Sequence, residues 1–145
     1  MDIDALTDSQ VKKLIRELKN FISAVTFNIP QLGKYKKEES VSGKFSNIAY
    51  KMHVYRGNIG YKYSIHLRFT NNNVHLIRLC INGSWHHNED GTIVGKNHLH
   101  IYKYHDDHVE NYAYDLKKLP FDNSDELDAA VEKFINYTNI KGKEA

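Results

Sequence analysis

The first hydrophobic periodicity in the chain runs from about Asp4 to Ala24. Val11, Leu14, Ile15, Leu18 and Ile22 recur at three- and four-residue spacing, with Lys12, Lys13, Arg16, Glu17 and Lys19 between them. That spacing predicts an amphipathic helix with one apolar stripe and one charged side. Thr7 or Asp8 would cap its start. Thr26 to Glu39 reads as a connector, because Pro30 and Gly33 interrupt regular structure and Lys34, Lys36, Lys37, Glu38 and Glu39 are expected in solvent.

From Lys44 the period falls to two. Ile48, Tyr50, Met52 and Val54 alternate with Asn47, Ala49, Lys51 and His53, and Arg56-Gly57-Asn58 then reads as a turn. Tyr61, Tyr63, Ile65, Leu67 and Phe69 alternate with Lys62, Ser64, His66 and Arg68, the pattern of a half-buried strand. Asn71-Asn72-Asn73 supplies the next turn, where asparagine tolerates positive φ. A third strand carries Ile77, Leu79 and Ile81 on one face and Leu76, Arg78, Cys80 and Asn82 on the other. A fourth puts Leu99 and Ile101 opposite His98, His100 and Tyr102, and Glu110 to Leu116 gives a fifth. Beyond Pro120, Asn123 with Glu126 forms a capping box for a second helix through Leu127, Ala130, Val131, Phe134 and Tyr137 or Thr138. Lys141 to Ala145 reads as a frayed tail.

The expected fold is a single α+β domain over residues 1–145. An antiparallel sheet of four to five strands carries an N-terminal and a C-terminal helix packed on one face. The other face, left exposed, would present His66, Arg68, Arg78, Cys80, His98 and His100.

Composition changes this picture little. A chain of 145 residues with 41% hydrophobic and 26% charged residues fits one ordinary soluble core. The formal net charge of +2 is too small to point to nucleic acid. Cys80 is the only cysteine, so no intrachain disulfide forms, which fits a reducing cytosol. The amino terminus lacks the basic and apolar regions of a signal peptide, and no apolar run approaches a bilayer-spanning length. An intracellular location is expected.

Histidine is the exception. All nine fall between His53 and His108. His98 and His100, two apart on a strand, project from one face. His86 and His87 sit in a loop bracketed by Gly83 and Gly91, which could swing a third imidazole inward. Cys80 faces the same side and would add sulfur if registered beside them; otherwise water completes the set. Three or four such donors suit zinc. A saturated site would be structural and an open one could activate water. His53, His75, His105 and His108 read as surface residues. Asn88-Glu89-Asp90-Gly91 lacks the alternating oxygen ligands of a calcium loop and reads as a turn. Arg68 and Arg78 beside the histidines would also suit an RNA-cleavage site, with histidine as acid and base and arginine on phosphate.

The run Leu76-Ile77-Arg78-Leu79-Cys80-Ile81-Asn82-Gly83, His86-His87-Asn88-Glu89-Asp90-Gly91 and His98-Leu99-His100-Ile101-Tyr102 resembles a family of small proteins of phages and bacterial mobile elements. Its pattern is an arginine-containing strand, a His-x-Asn-x-Asp-Gly loop and a His-x-His-x-Tyr strand. The family pattern has an acidic residue where this chain has Cys80. Size and layout are also similar to a zinc-binding anti-CRISPR protein of the type II-A group. The resemblance implies a structural zinc on His86, His98, His100 and Cys80. It further implies a non-enzymatic inhibitor, monomeric or dimeric through a sheet edge, that binds the type II CRISPR effector nuclease in the cytoplasm of a bacterial host. A similar run of histidines in toxins of toxin–antitoxin pairs implies the alternative, a toxin-like ribonuclease.

Overall fold

The computed structural model of the chain describes residues 1–58 and 61–142. Two helices, α1 (Asp8–Arg16) and α2 (Leu127–Tyr137), accompany ten strands among the described residues. These are β1 (Lys19–Phe21), β2 (Tyr35–Gly43), β3 (Ala49–Arg56), β4 (Tyr63–Phe69), β5 (His75–Ile81), β6 (His86–His87), β7 (Ile93–Val94), β8 (His98–His105), β9 (His108–Asp115) and β10 (Ile140–Lys141). Eight strands form one sheet in the order β10-β1-β2-β3-β4-β5-β8-β9, while β6 and β7 make a separate hairpin. The large sheet is antiparallel except where β1 lies parallel to β10. No helix among the described residues is long and apolar enough to cross a membrane.

Register stacks the apolar positions into columns. Val54, Ile65, Leu79 and Leu99 lie side by side across four strands, as do Met52, Leu67, Ile77 and Ile101. Val11, Leu14 and Ile15 of α1 and Leu127, Ala130, Val131 and Phe134 of α2 join them in one hydrophobic cluster. The opposite face carries its own rows. Glu38, His53, His66, Arg78 and His100 are successive cross-strand partners, and the neighbouring row is Lys36, Tyr55, Ser64, Cys80 and His98.

The sheet is larger than the four to five strands expected. The sequence-predicted helix from Asp4 to Ala24 stops at Arg16. Glu17 leaves helical geometry, and Lys19–Phe21 forms β1 with Lys19 and Phe21 facing inward. Lys19, expected on the wet side of a helix, is fully buried, and its ammonium donates to the carbonyls of Ile15, Glu17 and Thr138 at 2.9, 2.9 and 2.7 Å. Two of these lie at the C-terminal end of α1 and the third caps α2, so one cation closes both helix ends. The charged part of the connector is strand β2, whose polar residues alternate on both faces and hide the period of two.

Smaller departures have local causes. In β5, Leu76 is an extra residue opposite the Leu67–Arg68 step, so Leu76 and Ile77 both enter the core and His75 lands on the histidine face. Tyr102 leaves the His98–His100 face, packing edge-on against Phe69, with its hydroxyl between Ile3 O and Leu6 N. The expected Asn123–Glu126 box does not form. Asp122 instead takes Ser124 N, and Glu126 is the N-cap of α2 without a side-chain bond. Thr7 does form a capping box with Gln10 at α1. Of the tail read as frayed, Lys141 pairs in β10, and residues 143–145 lie outside the described residues.

Candidate metal centre

β5 and β8 supply the site. Their register sets Cys80 opposite His98, and His100 follows two residues on, facing the same way. The sulfur and one nitrogen from each ring lie within 4.8 Å of one another. The two rings are nearly perpendicular with centroids 4.5 Å apart.

Backbone carbonyls decide which nitrogen points where. His98 Nδ1 is 2.6 Å from Gly95 O, and His100 Nδ1 is 2.9 Å from Asn111 O. A carbonyl only accepts, so both Nδ1 atoms carry the proton and both Nε2 atoms are lone pairs in the neutral rings. This is how proteins orient metal-ligating histidines. Burial, reinforced by the neighbouring His98, His86 and Arg78, pushes His100 down to about 4 against the Asn111 hydrogen bond. Burial also lowers His98. Both imidazoles are therefore in ligand form at neutral pH. Burial raises the Cys80 thiol, with Arg78 and Lys62 opposing it.

The β6–β7 hairpin supplies the cover. Alternation sends adjacent histidines to opposite sides, since His86 pairs with Val94 and His87 with Ile93. His86 lies edge-on to His100 with ring centroids 4.7 Å apart, whereas His87 is exposed. The nitrogens of His86 lie outside the tight group formed by Cys80, His98 and His100. The hairpin is fixed by Asn88, whose buried amide donates to Ala113 O and accepts from Ala113 N, each at 2.9 Å, as a paired strand would. Asp90 accepts from Thr92 and from the Tyr112 hydroxyl. Gly91 has the positive φ expected of the turn, but at the loop's start that role falls to Asn82 rather than Gly83.

A cleft of about 380 Å³ opens onto the three donors, lined also by Tyr55, Lys62, Ser64, Arg78, Trp85 and His86. Arg78 Nε has no hydrogen-bond partner among the described residues. Arg68, by contrast, is engaged, with Glu38 at 2.9 Å and His66 Nε2 at 3.1 Å.

His53, His66 and His75, of which the first and last read as isolated surface residues, form a stack across β3, β4 and β5. Ring centroids are 4.9 and 4.1 Å apart. The stack follows from register and from the extra residue in β5, neither of which spacing within a strand reveals. His105 and His108 lie at the surface beside Glu89.

A family model described as a family of unknown function, DUF6978, matches residues 6–140. That span contains the cleft and both helices. No curated protein and no solved structure matches the chain.

Proposed function

The chain belongs to DUF6978, a family of unknown function, and for this member we propose zinc binding by Cys80, His98 and His100, with His86 or water in the fourth position. The observation that carries this reading is the pair of imidazoles, locked by carbonyls at Nδ1 so that Nε2 keeps its lone pair, each with a ring nitrogen within 4.8 Å of the Cys80 sulfur. A sulfur–nitrogen donor set suits zinc above harder cations. Zinc would stabilise the Cys80 thiolate that burial alone disfavours.

The role we propose for the ion is to tie the loop over residues 82–97 to β8. The protein would then act without catalysis, by binding a type II RNA-guided nuclease in a bacterial cytoplasm. This role is supported by the resemblance of the central motif, and the near-neutral charge argues against imitation of DNA. Cys80→Ser and His98→Ala should each lose one equivalent of zinc, read by elemental mass spectrometry, and melt several degrees lower. Capture of a purified type II nuclease by the wild type, weakened in both variants, is the expected result. Unchanged zinc in both variants would remove the centre.

One observation favours a second reading. The cleft opens at the donors beside Lys62 and Arg78, two cations suited to phosphate. In a toxin-like ribonuclease the same centre would activate water, and wild-type protein would cleave RNA. Arg78→Ala would then abolish cleavage while leaving zinc content and melting temperature unchanged.

A further inference from the structure

Outside the cleft, the turn after β6 meets the turn between β8 and β9. His105 and His108 are cross-strand partners around Asp106 and Asp107, both at positive φ, which is the geometry of a tight two-residue hairpin. Their rings are 5.0 Å apart. Glu89 reaches in from the other turn, with Oε2 2.7 Å and Oε1 2.9 Å from His108 Nε2, and Oε1 3.8 Å from His105 Nε2. Glu110 Oε1 is 2.7 Å from His105 Nε2.

Each of these groups is held from behind. His108 Nδ1 donates to Asp106 O, and His105 Nδ1 faces Asp106 Oδ2, both at 3.1 Å. The second oxygen of Glu110 accepts from Glu89 N at 2.8 Å, and Glu110 is only 7% exposed. Glu89 itself follows Asn88, which anchors its turn to β9. The carboxylate–histidine arrangement at His105 is the usual support of a metal-bound imidazole. A neutral His108, with Nδ1 donating to Asp106 O, would present its Nε2 lone pair to Glu89, and His105 meets a carboxylate at each nitrogen, so the cluster favours positive charge at its centre. A proton on each ring meets that need, and a divalent ion meets it equally well.

We propose that Nε2 of His105 and His108 and the carboxylate of Glu89, a group whose donor atoms lie within 4.8 Å of one another, form a second divalent-metal site, with Glu110 beside His105 as its buried acidic wall, separate from the Cys80 centre and independent of it. Two imidazole donors among three protein ligands, with water left to complete the set, select a borderline ion such as zinc over calcium. Zinc–ligand distances of about 2.0–2.2 Å set tetrahedral donors roughly 3.3 Å apart. The His108–Glu89 pair, now at 2.7 Å, would open by about half an ångström, which these two half-exposed side chains can supply. The entering ion displaces the ring protons, and the site's charge is balanced by the two carboxylates.

The test is zinc titration of the full chain after chelator dialysis, with bound metal counted. Wild type should take up one equivalent more than His108→Ala and one more than Glu89→Gln. Asp106→Asn, which keeps the turn but removes the carboxylate behind His105, should retain the stoichiometry and weaken this site roughly tenfold to a hundredfold. Cobalt separates the two centres, because only the Cys80 site gives a thiolate-to-metal charge-transfer band. That band should survive in His108→Ala and vanish in Cys80→Ser. If His108→Ala and Glu89→Gln bind as much zinc as wild type, with the same affinity, the cluster is a set of proton-bridged ion pairs and the proposal fails. If Cys80→Ser alone changes nothing, it is the Cys80 centre that fails, and the second site stands.

Discussion

Lys19 concentrates the chemistry of this fold in one side chain. Its ammonium is wholly buried and donates to three carbonyls that neither helix can satisfy internally. Burial pushes it down to about 8, with the Glu17 carboxylate opposing. A methionine would keep the aliphatic stem and orphan three acceptors. At about 1–3 kcal/mol for an unsatisfied buried group, offset by removal of a buried charge, Lys19→Met should cost roughly 2–4 kcal/mol in a urea titration. The sequence concealed this role. Lys19 keeps the spacing of the charged side of a helix, and only the extended geometry at Glu17 turns it inward. Two single-residue expectations that rested on local backbone chemistry held, Asn73 at positive φ and Thr7 as the cap of α1, whereas the Asn123–Glu126 box at α2 did not.

At the scale of elements, the strands whose two faces differ in polarity were legible, and the others were not. β3, β4, β5, β8 and β9 announce themselves by alternation. β2 carries Lys36, Glu38 and Ser40 against Lys37 and Glu39, so neither face looks apolar, and β1, β6, β7 and β10 are too short to show a period. The same limit governs the centre. His98 and His100 were readable because they share a strand, whereas placing Cys80 beside them and choosing His86 over His87 depend on pairing between strands. Pairing also creates the stack of His53, His66 and His75. His66 Nε2 accepts from Arg68, which requires a neutral ring. Burial first, then the neighbouring rings and arginines, push His66 down to about 2, and burial with Arg78 takes His75 to about 4. The folded pKa values lie below the unfolded value near 6.5. The unfolded chain therefore binds protons that the fold refuses, and stability falls as pH drops from about 6.5 through 4. Glutamine can accept from Arg68 without titrating, so His66→Gln should flatten the fall in melting temperature between pH 6.5 and 4. An unchanged slope would exclude His66 as a source.

For the whole molecule, the order β10-β1-β2-β3-β4-β5-β8-β9 divides the chain into near and distant partners. β2, β3 and β4 pair with their immediate successors, as β8 does with β9, across short connections. β10 against β1, and Thr138 O on Lys19, join points 119 residues apart for the hydrogen bond alone. The α+β class was readable because two helical periods bracket a run of alternating strands. The parallel closure at the edge was not, since two two- or three-residue strands leave no pattern.

That closure bears on time as well as stability. Closing the longest loop costs the most chain entropy, so the meander should be in place before the ends of the chain find each other. Contacts made after the rate-limiting barrier leave the forward rate alone and govern the reverse one. In stopped-flow experiments Lys19→Met should refold at nearly the wild-type rate and unfold much faster, appearing almost entirely in the unfolding limb. The join between β1 and β10 would then act as a latch, setting the lifetime of the native state and not the speed with which it is reached.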